Sequence, residues 1–249
     1  MFTSKEHLHY NLGVDEGIAK FFVDRKVPEN NRYWKGRYLY VAGGTGYLFI
    51  PLFFDLQFKC GVDRGYIMNE DYVKLAEEIL NSAAMYEFDE IDFKEHLANC
   101  KAIMENRIKN PGLYDDLLIY FDDEQLKPYK NLGTSSKALN RADTLLFSVC
   151  FLEIDKQVTD RILENWYALV PSFLLMDDVS DLHDDKENNE ENSIDDFGSG
   201  SEGVEKAIQF LRNKFNQLTI YNSKLGLYFQ NSLEKKMHTP YMQSLLNNG

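Results

Sequence analysis

The sequence has little of what sulfur-based or membrane-spanning structures need. Its 249 residues include three cysteines, Cys60, Cys100 and Cys150, which lie far apart and form no CxxC pair. This pattern fits neither a zinc site nor a disulfide framework, so we expect buried free thiols in a reducing, cytoplasmic environment. No apolar run reaches the roughly 18–20 residues of a bilayer-spanning helix, and we expect no transmembrane segment. The first residues also lack the basic and apolar regions of a secretion signal.

Positive charge is scarce as well. The formal net charge is −13, and a chain this acidic is a poor partner for nucleic acid, because phosphates attract basic surfaces. The negative charge is concentrated between residues 177 and 205, where twelve carboxylates face a single lysine, so this segment alone carries −11. Residues 186–201, rich in Asn, Asp, Glu, Ser and Gly, predict a solvated, mobile loop.

Helical periodicity dominates the rest of the chain, and alternating strand patterns are nearly absent. Proline is rare, with six residues, so long helices are seldom interrupted. The spacing of apolar residues predicts helices over 71–86, 89–108, 113–120, about 135–151, 156–185 and about 202–235. We therefore expect an all-α fold in which residues 1–249 form one domain, a bundle of long helices.

A glycine-rich segment allows a different interpretation. Gly43, Gly44 and Gly46 follow an apolar run at residues 38–42, as in the strand, turn and helix of dinucleotide-binding folds. Phe49 stands where the third glycine of that motif is needed, and no series of βα units follows. Close packing of helices is the interpretation we favour for these glycines, with dinucleotide binding as an alternative.

The strongest chemical signal is a row of aspartates on the helix predicted at 156–185. Its inward-facing apolar residues are Val158, Ile162, Trp166, Val170 and Phe173. Continuing the same spacing gives Asp177 and Asp181, with Asp178 beside them. Anions near a helix C-terminus oppose the helix dipole at roughly 0.3–1 kcal/mol each, so a bound cation would relieve them. Oxygen ligands suit Mg²⁺, which also binds phosphates. We predict that Asp177, Asp178 and Asp181 bind Mg²⁺ at a phosphate or diphosphate site; the alternative is a plain acidic helix end.

This region resembles a known family. Residues 168–182, ALVPSFLLMDDVSDL, resemble the second aspartate-rich motif, DDxxD, of trans-polyprenyl diphosphate synthases, which have the class I isoprenoid synthase fold. In that family the motif ends a long helix, and a polar loop and another long helix follow. Residues 140–147 resemble the family's Lys-Thr helix start, with Arg141 near the place of its lysine, and residues 192–198 resemble the loop before its penultimate helices. The resemblance covers about residues 137–211.

The resemblance implies an isoprenoid-synthase fold, bound Mg²⁺, an isoprenoid diphosphate ligand and homodimerisation. A prenyl transferase or terpene cyclase of this class ionises the allylic diphosphate. The implied diphosphate-binding cations are Arg141, Lys35 and Arg37, the last two being a loose counterpart of the family's basic N-terminal segment. The chain departs from the family where the first DDxxD is expected, because only Asp55 stands near that position. Of the two aspartate motifs that hold the metal ions in the family, the chain therefore lacks one.

Two further hypotheses follow from that departure. The chain is either a degenerate member of this fold that binds without catalysing, or a non-catalytic helical protein whose acidic segment contacts a basic partner or is a solvated surface.

Overall fold

The computed structural model describes residues 4–35, 40, 45–122, 127–188 and 192–247, with only the backbone at 45–48, 180–181, 183–188, 245 and 247. The described residues are all-α and contain no strand, which confirms the predicted class. The helices are α1 (Glu16–Asp24), α2 (Thr45–Lys59), α3 (Arg64–Ile67), α4 (Glu70–Glu87), α5 (Phe93–Met104), α6 (Pro111–Asp122), α7 (Lys156–Asn188), α8 (Gly200–Tyr221), α9 (Ser223–Met237) and α10 (Pro240–Asn247).

The longest helix, α7, forms the axis of the fold. It packs against α8 and α2. The ring of Phe53 on α2 lies 4.8 Å from Trp166, and the ring of Phe49 lies 6.1 Å from Phe173. The two helices are therefore antiparallel, with the end of α2 beside the start of α7. Within the described residues, no helix has both the length and the hydrophobicity that a membrane span requires.

Helices α4, α5 and α6 form where the apolar periodicity predicted helices, and particular residues determine where they begin or end. Asn69 starts α4 by accepting hydrogen bonds from two backbone N–H groups, and Pro111 occupies the first position of α6, where its missing N–H costs nothing. The helix expected over 89–108 covers a shorter range because Asp89 and Asn106 have φ values of 55° and 59°. A left-handed residue cannot continue a right-handed helix.

The prediction of a single helix over about 202–235 is wrong. The chain turns at Asn222 (φ −142°, ψ 89°), and α8 and α9 pack against each other as a hairpin. The Asn222 side chain donates to the Leu12 carbonyl at 2.8 Å and accepts from the Leu225 N–H at 3.1 Å. Near the turn, a methyl group at Gly226 would lie 2.8 Å from the Phe215 carbonyl oxygen, so the absent side chain permits the close approach.

The described parts of the acidic segment 186–201 are largely helical. Helix α7 continues to Asn188, and residues 189–191 lie outside the described residues. A 3₁₀ helix then runs from Ser193 to Phe197, with Ser193 and Ile194 buried, and α8 begins at Gly200. Burial of Ile194 and hydrogen bonds from Ser193 to α7 hold this part of the chain against the bundle.

The glycine-rich segment lies mostly outside the described residues, which omit Gly43, Gly44 and, of residues 38–42, all but Tyr40. The backbone of Gly46 is in the first turn of α2. Among the described residues, no βα unit follows. The three cysteines are buried and free, as predicted.

The segment expected as an α-helix over about 135–151 is instead two 3₁₀ helices, Ala138–Asn140 and Asp143–Phe151. Every residue from 143 to 150 is buried. An α-helical pattern is recognised by one apolar face, and this segment has no solvated face to define one. Its conformation is set by tertiary hydrogen bonds.

The main anchor of this segment is the carboxylate of Asp143, which is fully buried. It accepts hydrogen bonds from Trp166 Nε1 (2.8 Å), Tyr120 Oη (2.7 Å) and Tyr167 Oη (2.8 Å). These donors lie on α6 and α7, so one side chain joins three elements. Burial raises the pKa of Asp143 to about 7, although the three hydrogen bonds oppose the rise.

The raised pKa predicts a specific pH dependence of stability. The folded state holds the Asp143 proton more tightly than the unfolded state, so the protonated carboxyl group stabilises the fold. This contribution to stability is complete below the ordinary pKa of 3.8 and is lost as pH rises through about 7. In Asp143→Asn this dependence disappears. The unfolding free energy of wild type minus that of the variant should therefore be roughly 2–3 kcal/mol larger at pH 5 than at pH 8. Urea unfolding at the two pH values measures it. Asp71→Asn, at an exposed site, is the control and should show no such change; an equal difference at both pH values would contradict the prediction.

Candidate functional site

A cavity of about 310 Å³ lies between α2, α4 and α7. Its apolar walls include Ile79, Leu80, Ala83, Val170, Phe173 and Leu174. The volume is near the lower end of the roughly 300–1,000 Å³ range of small-molecule sites. The cavity can therefore accept a short apolar chain.

Three charged side chains line the same cavity: Glu87, Arg141 and Asp177. Glu87 is the last residue of α4, Arg141 lies between the two 3₁₀ helices, and Asp177 lies on α7 one turn after Phe173. Desolvation raises the pKa of Glu87, and the positive charge of Arg141 opposes that rise. The wall of this cavity thus combines apolar side chains with two acidic ones and one basic one.

The structure brings Arg141 to the predicted aspartate motif. Its Nη2 lies 3.5 Å from Asp178 Oδ1, and its Nη1 donates to the Ala138 carbonyl at 3.2 Å. The Arg141 side chain remains 36% exposed, so part of the guanidinium faces solvent and the cavity. This cation is held in place from one side and remains accessible to an anionic ligand from the other.

Asp178 has a structural role that the sequence pattern did not indicate. The pattern placed it beside the inward stripe, yet it is 5% exposed and more deeply buried than Asp177. Its Oδ2 accepts hydrogen bonds from the Ser193 hydroxyl and from the Ser193 N–H, the latter at 2.9 Å. The carboxylate thus fastens the 3₁₀ helix Ser193–Phe197 to α7. With Arg141 near Oδ1, few lone pairs remain for a metal.

Asp177 is the better placed of the two for binding a metal. It is exposed and lines the cavity. Only the backbone of Asp181 is described, one turn further along α7. Among the residues whose side chains are described, no three His, Cys, Asp or Glu residues form a metal-binding group. Mg²⁺ often takes one or two carboxylates and completes its shell with waters and phosphates. A Mg²⁺ ion held at Asp177 would therefore need waters or ligand phosphates for most of its shell, because the described side chains form no cage around it.

The other predicted site residues lie elsewhere. Lys35 is exposed, with its Nζ 5.6 Å from the centroid of the Phe88 ring, and does not line the cavity. Arg37 lies outside the described residues. Asp55 is buried and bonds to Lys59 Nζ (2.5 Å) and to the Asp15 N–H (2.7 Å). Asp55 therefore fastens the N-terminal segment to α2, near the start of α7 and away from Asp177.

Sequence reasoning missed Glu87. The apolar stripe of α4 runs through Ile79, Leu80 and Ala83, and the next position at helical spacing is Glu87. This is the same signal that singled out Asp177 on α7, an apolar stripe that ends in a carboxylate. Applied to both helices, it marks Glu87 and Asp177 as candidates, and the structure places both on the wall of one cavity.

No protein-family model, no curated protein and no solved structure matches the chain. The resemblance to polyprenyl diphosphate synthases therefore rests only on the sequence motifs described above.

The contact between Asp178 and Ser193 can be tested by stability. Ser193→Ala leaves the buried Asp178 Oδ2 with one donor fewer, which should lower the unfolding free energy by roughly 1–3 kcal/mol. Ser199→Ala is the matched control, because Ser199 is exposed and its side chain makes no capping hydrogen bond; its effect should stay within about 0.5 kcal/mol. Equal losses for the two variants in denaturant unfolding would show that the Ser193 hydroxyl does not support Asp178.

Proposed function

We propose that the protein binds a short isoprenoid diphosphate, with the hydrocarbon chain in the cavity and the diphosphate beside Arg141 and Asp177. The observation that carries this proposal is the position of both charged residues on the wall of one largely apolar cavity. Such a chamber suits an amphiphile, because one end must be removed from water and the other must keep strong polar partners.

The hydrocarbon end is matched by the walls from α4 and α7. Phe49 and Phe173 stand on one side with ring centroids 6.1 Å apart, and Leu80 stands among the α4 residues. Burial of apolar surface contributes roughly 25 cal/mol per Å², which favours prenyl chains over polar ligands of the same size. The volume of about 310 Å³ favours the shorter members of this class.

The diphosphate end is matched by two kinds of charge. Arg141 supplies a guanidinium, whose planar set of donors suits phosphate oxygens. Asp177 supplies a carboxylate that would hold Mg²⁺ against the same phosphates. When bound, Mg²⁺ neutralises charge on the diphosphate. Neither residue is placed to bind the diphosphate strongly alone, so we expect affinity to depend on both.

Whether the bound diphosphate is also ionised depends on the groups opposite Asp177. A prenyl transferase or terpene synthase must stabilise the charge that develops on the departing diphosphate. Glu87 lines the same cavity but repels that charge when ionised, and Asp55 lies elsewhere. This arrangement favours binding without efficient ionisation, the degenerate form of the fold, over an active prenyl transferase.

Isothermal titration with geranyl and farnesyl diphosphate tests the binding. Wild type should bind in the presence of Mg²⁺ and at least tenfold more weakly in EDTA. Asp177→Asn should remove most of the Mg²⁺ dependence, whereas Arg141→Gln should weaken binding about tenfold with or without the metal, since one charge-assisted contact is worth about 1.4 kcal/mol or more. Asp160→Asn, near the start of the same helix, is the control and should match wild type.

Absence of binding to wild type with Mg²⁺ present would refute the proposal and favour a protein partner for the acidic segment. If binding is found, incubation of the same complex with isopentenyl diphosphate, followed by product analysis, separates a transferase from a binding protein. Prenyl or terpene products would overturn the assignment of binding without ionisation.

A further inference from the structure

The charged side chains of the cavity lie where it opens to solvent. Glu87, Arg141 and Asp177 line the cavity, and all three residues are exposed. Apolar wall residues such as Ile79 and Val170 are buried, so they belong to the inner part. A ligand that brings a hydrocarbon chain to these inner walls must therefore place its polar end among the three charged groups.

Carboxylates outnumber cations among the described residues at this opening. The guanidinium of Arg141 lies 3.5 Å from Asp178 Oδ1, and Glu87 and Asp177 line the wall beside it. Desolvation raises the pKa of Glu87 in spite of the positive charge of Arg141. The arginine therefore does not fully offset the cost of ionising this carboxyl group, and ionised Glu87 repels an anion that arrives without a cation.

Without Glu87, the same cavity would suit a fatty acid. The carboxylate of a fatty acid matches a guanidinium through two parallel hydrogen bonds, and its hydrocarbon chain matches the apolar walls. The volume of about 310 Å³ suits a chain of medium length. Hydrophobicity and one arginine therefore do not distinguish a fatty acid from a prenyl diphosphate. Discrimination between such similar ligands needs a repulsive element as well as an attractive one.

We propose that Glu87 selects the ligand of this cavity: it admits a prenyl diphosphate that carries Mg²⁺ and excludes fatty acids and metal-free diphosphates. This rests on the proposed function. Mg²⁺ lowers the negative charge of a diphosphate and is itself attracted by carboxylates at the opening. A single carboxylate holds Mg²⁺ far less firmly than a diphosphate does, so a fatty acid meets the full repulsion of Glu87.

Two ligands of equal chain length test this selection, geranyl diphosphate and decanoate, titrated at pH 8 in Mg²⁺ and in EDTA. Wild type should bind decanoate at least tenfold more weakly than geranyl diphosphate with Mg²⁺. Glu87→Gln should bind decanoate, and geranyl diphosphate in EDTA, about fivefold or more tightly than wild type, because a like charge has been removed. Its affinity for geranyl diphosphate with Mg²⁺ should stay within about threefold of wild type.

The direction of the change separates Glu87 from Asp177. Asp177→Asn reduces the Mg²⁺ dependence because binding with the metal becomes weaker. Glu87→Gln reduces it because binding without the metal becomes stronger. Since Glu87 is exposed, the glutamine variant should fold, and a gain of binding cannot result from a loss of structure.

Two control variants isolate the charge at this position. Glu87→Asp keeps the negative charge and should keep the wild-type selection. Asp71→Asn removes a negative charge from an exposed position in the first turn of α4, away from the cavity wall, and should also match wild type.

The remaining outcomes each overturn the inference. If Glu87→Gln binds decanoate and metal-free geranyl diphosphate no better than wild type, Glu87 does not select the ligand, and the proposed function stands without it. If this variant instead loses its Mg²⁺-dependent binding, Glu87 holds the metal. Wild type that binds decanoate as tightly as geranyl diphosphate with Mg²⁺ has no such selection. If wild type does not bind geranyl diphosphate with Mg²⁺, the proposed function fails and this inference fails with it.

Discussion

The fold around the cavity depends on one carboxylate buried among neutral donors. Asp143 receives two phenol hydroxyls and an indole N–H from α6 and α7. A buried carboxyl group is costly unless its hydrogen bonds are satisfied, and these three donors satisfy it without a cation. They also fix the position of the 3₁₀ helix that Asp143 begins. Arg141 and Thr144 are close neighbours in the chain, so the same contacts place two residues of the cavity wall.

A second constraint comes from the negative charge near the end of α7. The structure distributes this charge among different partners. Asp178 faces Arg141 and Ser193, and Lys236 Nζ donates to the backbone carbonyl of Met176 at 3.0 Å. Positive side chains therefore approach α7 from two sides. Asp177 lines the cavity that Arg141 also lines, and a second one of about 150 Å³ that Lys236 also lines.

The sequence predicted α4 well because it has one continuous apolar face and a polar one, and α7 because apolar residues recur at helical spacing from Val158 to Phe173. It could not reveal the turn at Asn222, because α8 and α9 bury their apolar residues in the same core and the spacing continues across the turn. The 3₁₀ helix at 143–151 was missed as well, because apolar residues at nearly every position give no periodicity that distinguishes a 3₁₀ helix from an α-helix. For the site, spacing drew attention to the turn of α7 that carries Asp177, and the resemblance drew attention to Arg141; both residues line one cavity. Spacing could not separate exposed Asp177 from buried Asp178, whose burial depends on contacts with Ser193.

The close approach of α8 and α9 at Gly226 reaches further than the hairpin itself. Phe229 lies one turn later on α9, and its distance from Phe173 depends on how near α9 comes to α8 and α7. A single added methyl group at position 226 would push the helices apart, since it would meet the Phe215 carbonyl oxygen and Thr219. The separation between Phe229 and Phe173 therefore depends on the absence of a side chain at position 226.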